Sequence, residues 1–283
     1  MTDSALTPVN KTVPSKVITM TSLRRWWSDS SHLRFIIVFI VVVLGLWEWV
    51  CRATGVKSFT FPAPSLVWRE LIADPMWLAQ NTAYTLSAAL TGFVISAALG
   101  LLLSIGIVYS RVLDRTLFTS LVASNAIPKV AIAPLFVLWI GTGIESKVLM
   151  AVLVSIFPMV VDSVVGLRSV DPGTLDLART YRGSNLQIFW KIRFPGALPS
   201  IFAGMKVAIS LALVGTIVGE FVGSNWGLGF VILQSQGQFN TPRVFAAILV
   251  LSVLGILLYQ AIDLIERRAM PWHVSHRNRH DDH

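Results

Sequence analysis

Charge is scarce in this chain, and cysteine is nearly absent. Asp, Glu, Lys and Arg supply 13% of 283 residues while 54% are apolar; soluble domains carry about 25% charged residues. One water-soluble core cannot absorb that much apolar surface, which excludes an ordinary soluble domain. The single cysteine, Cys51, excludes an internal disulfide and a cysteine-built metal centre. No G-x-x-x-x-G-K-[ST] loop occurs, so this sequence does not hydrolyse ATP by the P-loop route. The alternating pattern of an outer-membrane barrel is missing too. Four of the five histidines sit in the closing WHVSHRNRHDDH. The apolar stretches hold no Ser–His pair and no metal-ligand spacing of the kind an embedded enzyme needs. No metal is expected.

What is present is a set of long apolar runs. A helix needs about 20 mostly apolar residues to cross the hydrocarbon layer. Six windows qualify, at 33–50, 86–109, 117–140, 148–167, 199–221 and 244–264. Each is expected to be helical, because lipid cannot satisfy the polar groups of irregular backbone. The leader before the first window is polar and long, and no small-x-small site follows Val50. That window reads as a retained span rather than a cleaved signal.

With the N-terminus inside the cell, six spans return the C-terminus inside. Sixteen basic residues then face the cytoplasm and five the exterior, with Lys129 and Lys206 within spans. That asymmetry fixes the orientation. The net charge of +8 is spread over separate loops and gives no reason to invoke nucleic acid. The expected organisation is a cytoplasmic tail over 1–32, a membrane domain over 33–265, and a disordered cytoplasmic tail over 266–283. The first outer loop carries Trp68 and Trp77 and reads as a small helix at the membrane surface.

One inside loop is unlike the others. Between the fourth and fifth spans lies DLARTYRGSNLQIFWKIRFPGALP, with Arg179, Arg182, Lys191 and Arg193. Asp171 and Pro172 supply an N-cap and a first helical residue, and Gly183 is expected to end that helix. Ser184 and Gln187 have the spacing of a capping box for a second one. Phe194-Pro195-Gly196 is expected to break it before the fifth span. A compact basic knob of this kind is either an interfacial loop or a docking element for a soluble partner.

The segment resembles the EAA motif of ABC-transporter permease subunits of the binding-protein-dependent import type. That motif runs Glu-Ala-Ala, three residues, Gly, nine residues, Ile-x-Leu-Pro. Asp176, Leu177 and Ala178 stand at its first positions, and Ile192, Phe194 and Pro195 at its last. The glycine position holds Arg182, with Gly183 beside it; Leu177 and Phe194 also depart from the pattern. LPSIFAGMKVAISLALVGTIVGEFVGSNWGLGFVI and IPKVAIAPLFVLWIGTG resemble the nitrate/sulfonate/taurine/bicarbonate permease group, over roughly residues 60 to 273.

The resemblance implies the type I ABC importer permease fold: an all-α, multi-pass protein of the bacterial inner membrane with a cytoplasmic coupling insert over 171–195. It implies that Asp176, Leu177, Ala178, Arg179, Arg182, Gly183, Ile192 and Pro195 meet a separate ATPase. Two copies of that ATPase, using ATP and Mg, an external solute-binding protein and a second permease copy complete the assembly. This chain itself would bind no cofactor and catalyse nothing. The implied solute is a small sulfonate, taurine, a nitrate-like anion or a pyrimidine-type vitamin precursor. The competing reading, an ion-coupled secondary transporter, would ordinarily show an internal repeat and mid-membrane ion ligands. Neither is visible.

Ionisable residues within spans are costly and raise functional questions. Glu48 and Glu220 lie near the outer ends of their spans, where water or a local ion pair can satisfy them; Glu220 also borders the outer loop that a solute must pass. Lys206 can reach the cytoplasmic interface or pair with Asp162. Lys129 follows Asn125 and Pro128 deep in the third span, where a proline kink is expected and Pro134 adds a second break. Asn125, Pro128, Lys129 and Glu220 are the candidates for the translocation path; the competing role for Lys129 is capping the carbonyls freed at the kink. Gly215, Gly219 and Gly223 form a small-residue stripe on the fifth span, suited either to packing within the subunit or to meeting a second copy. The turn Asn225–Gly229 that follows is a candidate outer gate or binding-protein contact.

Overall fold

The computed structural model describes residues 21–271. Expectations for residues 1–20 and for the histidine-rich end from residue 272 lie outside that range. Among the described residues every regular element is helical, the all-α architecture expected from the sequence. Among those residues five helices are long and apolar enough to span a membrane, and a pair bent by 89° makes a sixth when counted as one broken span.

The first helix, α1 (Thr21–Thr54), contributes to two units that divide at Leu46 and Trp47. In the first unit Phe35, Val38 and Val41 expose 72%, 59% and 63% of their surface. Apolar residues left exposed along a helix suit a lipid-facing span.

The second unit begins with the last turns of α1. There Glu48 pairs with Arg52 and caps α2 (Pro64–Ala73), accepting from the Ser65 N–H at 3.0 Å and the Ser65 hydroxyl at 2.8 Å. A local ion pair does satisfy this acid. Trp68 of α2 is exposed, and Glu70 accepts from Arg243 of α12 (Thr241–Ala269) at 2.8 Å. The next helix, α3 (Pro75–Tyr109), starts well before the 86–109 window. Asp74 caps it by accepting from Trp77 N–H at 3.0 Å, and Pro75 loses nothing at the first turn.

The third window is broken outright rather than kinked. One arm holds α4 (Arg111–Leu113), a π-turn (Asp114–Phe118) and α5 (Thr119–Ser124). The other holds a 3-10 turn (Lys129–Ile132) and α6 (Ala133–Ile140), bent from the first by 89°. Pro128 has no N–H and disfavours helical backbone at the residue before it. Pro134 adds no second bend, because it falls in the first turn of α6.

The fourth span, α7 (Ile144–Arg168), lies against both α3 and the fifth span, α10 (Phe194–Gly223). Lipid tails are as apolar as leucine, so helices here associate through close packing rather than escape from water. Gly215 shows how close: a Cβ there would lie 2.8 Å from the Met150 carbonyl oxygen and 2.9 Å from Ala151 Cα. Gly219 faces Lys147 and Met150, and Gly223 faces Val137 and Thr142. The stripe packs within the subunit. Around it Ala151, Met159, Ile209 and Ala212 form the core with Ala89 and Phe93 of α3.

Between α7 and α10 come α8 (Pro172–Thr180), α9 (Asn185–Ile188) and a π-turn (Phe189–Arg193). The expected break at Phe194-Pro195-Gly196 does not occur; Asn185–Gly223 runs as one helical stretch. The π-turn widens the hydrogen-bond ladder just before Pro195, relieving the clash its ring makes with a carbonyl one turn back. After α10 a short α11 (Leu228–Gly237) leads to α12, which continues to Ala269, with Met270 fully buried.

Lys206 of α10 reaches across to α12, pairing with Asp263 at 2.6 Å and with Glu266. The expected partner, Asp162, is on another side. Its Cβ would sit 2.9 Å from a Cβ placed on Gly204, two residues earlier. Two residues turn a helix by about 200°, so Lys206 points away from Asp162.

Candidate functional site: a basic elbow and a buried clasp

The insert between α7 and α10 is an elbow of two short helices. Asp171 accepts from Thr174 N–H at 2.8 Å, capping α8 behind Pro172. Ser184 and Gln187 complete the capping box for α9, with bonds of 3.3 and 2.9 Å. Leu175 and Ala178 turn partly inward, whereas Asp176, Leu177, Arg179 and Tyr181 are exposed. Arg179 pairs with Asp176 at 3.1 Å.

Gly183 is not the left-handed residue that ends α8. That conformation belongs to Arg182, with φ of 58°. Its N–H donates to Arg179 O at 2.8 Å, and Gly183 N–H reaches Ala178 O at 3.0 Å. These are the two bonds of a helix end whose first residue past the cap is left-handed, a place usually taken by glycine. A side chain there costs roughly 1–2 kcal/mol. Gly183 serves a different need: a Cβ on it would come within 2.9 Å of Ala178 O. The glycine position of the motif and the left-handed residue thus coincide at Arg182.

The elbow is fastened to the spans. Ile188 and Phe189 are buried. Phe189 meets Tyr109, the last residue of α3, at 6.2 Å between ring centres, and Phe194 at 5.8 Å. Arg193 lies over the Tyr109 ring at 5.6 Å. Ile192 and Pro195, the closing positions of the motif, sit half-buried in the π-turn and the first turn of α10. Arg168, ending α7, pairs with Asp114 at 2.8 Å, which ties that helix to the broken span.

At the break itself, Lys129 Nζ donates to Asn125 Oδ1 at 2.8 Å and lies 5.3 Å from the centre of the Phe157 ring. Asn125 and Pro128 are exposed. Lys129 therefore links the two arms of the bend and spends its charge on a side-chain amide and a ring.

The largest departure from the sequence reading lies at Glu220. Water is not close to it, for it is 1% exposed. Its carboxylate accepts from Thr85 Oγ1 and from Gly229 N–H, each at 2.7 Å. Thr85 Oγ1 accepts in turn from Leu228 N–H, and Asn81 Oδ1 from Gly227 N–H, both at 2.8 Å. Glu220 is thus the centre of a clasp that pins the turn before α11 to α3. Lys147, counted from sequence among the outside loop residues, is fully buried beside it. Its Nζ donates to Thr142 O at 2.7 Å and to Gly223 O, holding the 141–143 turn against the end of α10. Asn81, Thr85 and Lys147 escaped sequence reasoning. The four-residue spacing of Asn81 and Thr85, one face of an apolar helix, is the signal that points to them.

Among the described residues no three His, Cys, Asp or Glu side chains gather as a metal ion would require. Residues 92–271 match the family described as the binding-protein-dependent transport system inner membrane component. The chain is 36% identical to a probable ABC transporter permease of Haemophilus influenzae, over 84% of this chain and 97% of that protein. It is also 36% identical to the formylaminopyrimidine transport permease ThiX of Halalkalibacterium halodurans, over 83% and 94%. Relatives named for riboflavin, aliphatic sulfonates, taurine and nitrate match as well. Its fold is that of a solved structure titled as an inward facing conformation of the MetNI methionine ABC transporter, with a TM-score of 0.61 at 20% identity, covering 68% of this chain and 96% of that one. The chain belongs to the permease subunits of binding-protein-dependent ABC importers, in the sulfonate, taurine and nitrate group.

Proposed function

We propose that this chain forms half of a solute path across the bacterial inner membrane, with both termini in the cytoplasm, and takes its energy from a separate ATPase through the elbow. Two permease copies would pair, two ATPase copies would consume ATP and Mg, and an external binding protein would deliver solute. The chain itself is non-catalytic. The observation that carries this reading is mechanical. The elbow is continuous with α10 through the π-turn and is anchored on the end of α3 by Phe189 and Tyr109. Force applied there reaches two spans without an intervening flexible loop. Rigid-body transmission of a partner's differential binding energy needs such a connection.

Among the solutes that the family implies, we propose a small nitrogen heterocycle of the pyrimidine-precursor class. Identity reaches 36% with the relatives named for formylaminopyrimidine and riboflavin, against 32% and 29% for aliphatic sulfonates, 28% for taurine and 24% for nitrate.

Uptake into vesicles carrying the permease, with and without its ATPase, ATP and binding protein, tests the reading. Uptake that needs all three is expected, with formylaminopyrimidine competing better than taurine or nitrate. Uptake by this chain alone under a proton or sodium gradient would make it a secondary transporter and end the proposal.

A further inference from the structure

Arg182 occupies a position where its side chain is a liability to the fold. It is left-handed, fully outside any core, and sits where glycine would close the helix at no steric expense. Among the described residues its guanidinium has no ion pair and no side-chain hydrogen bond, while its neighbour Arg179 is already paired with Asp176. Strain of this kind persists where the strained residue is used.

The bend also fixes where the side chain starts. Two backbone bonds hold Arg182, and Gly183 closes tightly on Ala178 O. Exposed Leu177, Tyr181 and Leu186 flank it, at 59%, 80% and 67%. A guanidinium on a fixed stretch of backbone, near in sequence to exposed apolar side chains, suits a protein cleft containing a carboxylate, which arginine grips with two parallel bonds. A lipid headgroup layer makes no such demand, since any long cationic side chain nearby serves it.

We infer that Arg182 is the charged contact that fits this elbow to its own ATPase, by pairing with an acidic side chain of that subunit. The inference rests on the coupling role proposed above and adds the residue that sets partner specificity.

The test uses the whole transporter in proteoliposomes, with Arg182→Gly, Arg182→Lys and Arg182→Glu compared for binding-protein-stimulated ATP hydrolysis and uptake. Arg182→Gly is expected to lower both about tenfold or more while the melting temperature of the complex stays level or rises. Arg182→Glu is expected to abolish coupling, and replacing one cleft carboxylate of the ATPase by arginine is expected to restore it. A Leu177→Cys variant, with cysteines placed in the ATPase cleft, reports on the docking itself. Cross-linking at Leu177→Cys with undiminished coupling in Arg182→Gly overturns the inference and leaves the coupling role standing. An Arg182→Gly defect that vanishes in vesicles without anionic lipid assigns the guanidinium to headgroups and likewise overturns it. Failure of Leu177→Cys to cross-link to the ATPase removes the coupling role and this inference with it.

Discussion

Replacing Glu220 by leucine tests whether the outer turn is held by a carboxylate. Leucine keeps most of the volume but leaves the Thr85 hydroxyl and the Gly229 N–H without their acceptor, in a place that is 1% exposed. Each orphaned buried group costs about 1–3 kcal/mol, so the expected loss is about 2–6 kcal/mol. At about 2–4 °C per kcal/mol for a chain of this size, the melting temperature of the purified permease should fall by roughly 10 °C. Glu220→Gln is the milder change: its oxygen can still accept from Gly229, and its amide can donate to the spare lone pair of Thr85. A loss of about 1 kcal/mol is expected there. The assay is the fraction of permease staying monodisperse in detergent after heating. Combined with Thr85→Val, the leucine variant should lose at least about 1 kcal/mol less than the two separate losses together, because both changes break one network. A leucine variant that melts with the parent, or simple additivity with Thr85→Val, would refute the clasp.

Two further outcomes follow from packing and from the bend. Gly215→Val should yield no folded permease on gel filtration, because the atoms it meets are backbone of α7 and cannot move aside; Gly237→Ala, with open space around it, should elute and melt like the parent. Lys129→Met removes the tie between the arms of the broken span, and solute uptake should fall several-fold with little change in melting temperature. Unchanged uptake of formylaminopyrimidine, taurine and nitrate alike would take Lys129 out of the path.

The spans were legible because an apolar run of sufficient length has one stable form in lipid. So were the elbow's caps, since Asp171 with Pro172 and Ser184 with Gln187 act within a few residues of each other. Side-chain partners were not. Lys206 binds Asp263 rather than Asp162 because of its rotation about α10, which sequence spacing within one helix does not reveal. Lys147 was hidden for a similar reason: counting charges by loop treats a residue in the first turn of a span as solvated. The break before Lys129 was visible as proline, but its 89° angle depends on what the two arms pack against. The left-handed backbone at Arg182 was masked by Gly183, a nearer match to the usual pattern.

The π-turn at Phe189–Arg193 has a geometric consequence of its own. It holds one residue more than an ordinary turn, and each residue of a helix adds about 100° of rotation. Deleting a single residue from the regular part of α10 would swing everything on its N-terminal side by about that angle, whereas deleting one from the π-turn restores an ordinary turn and leaves α8 and α9 facing nearly as before. The wide turn is thus a place on this shaft where a residue can be lost without turning the crank.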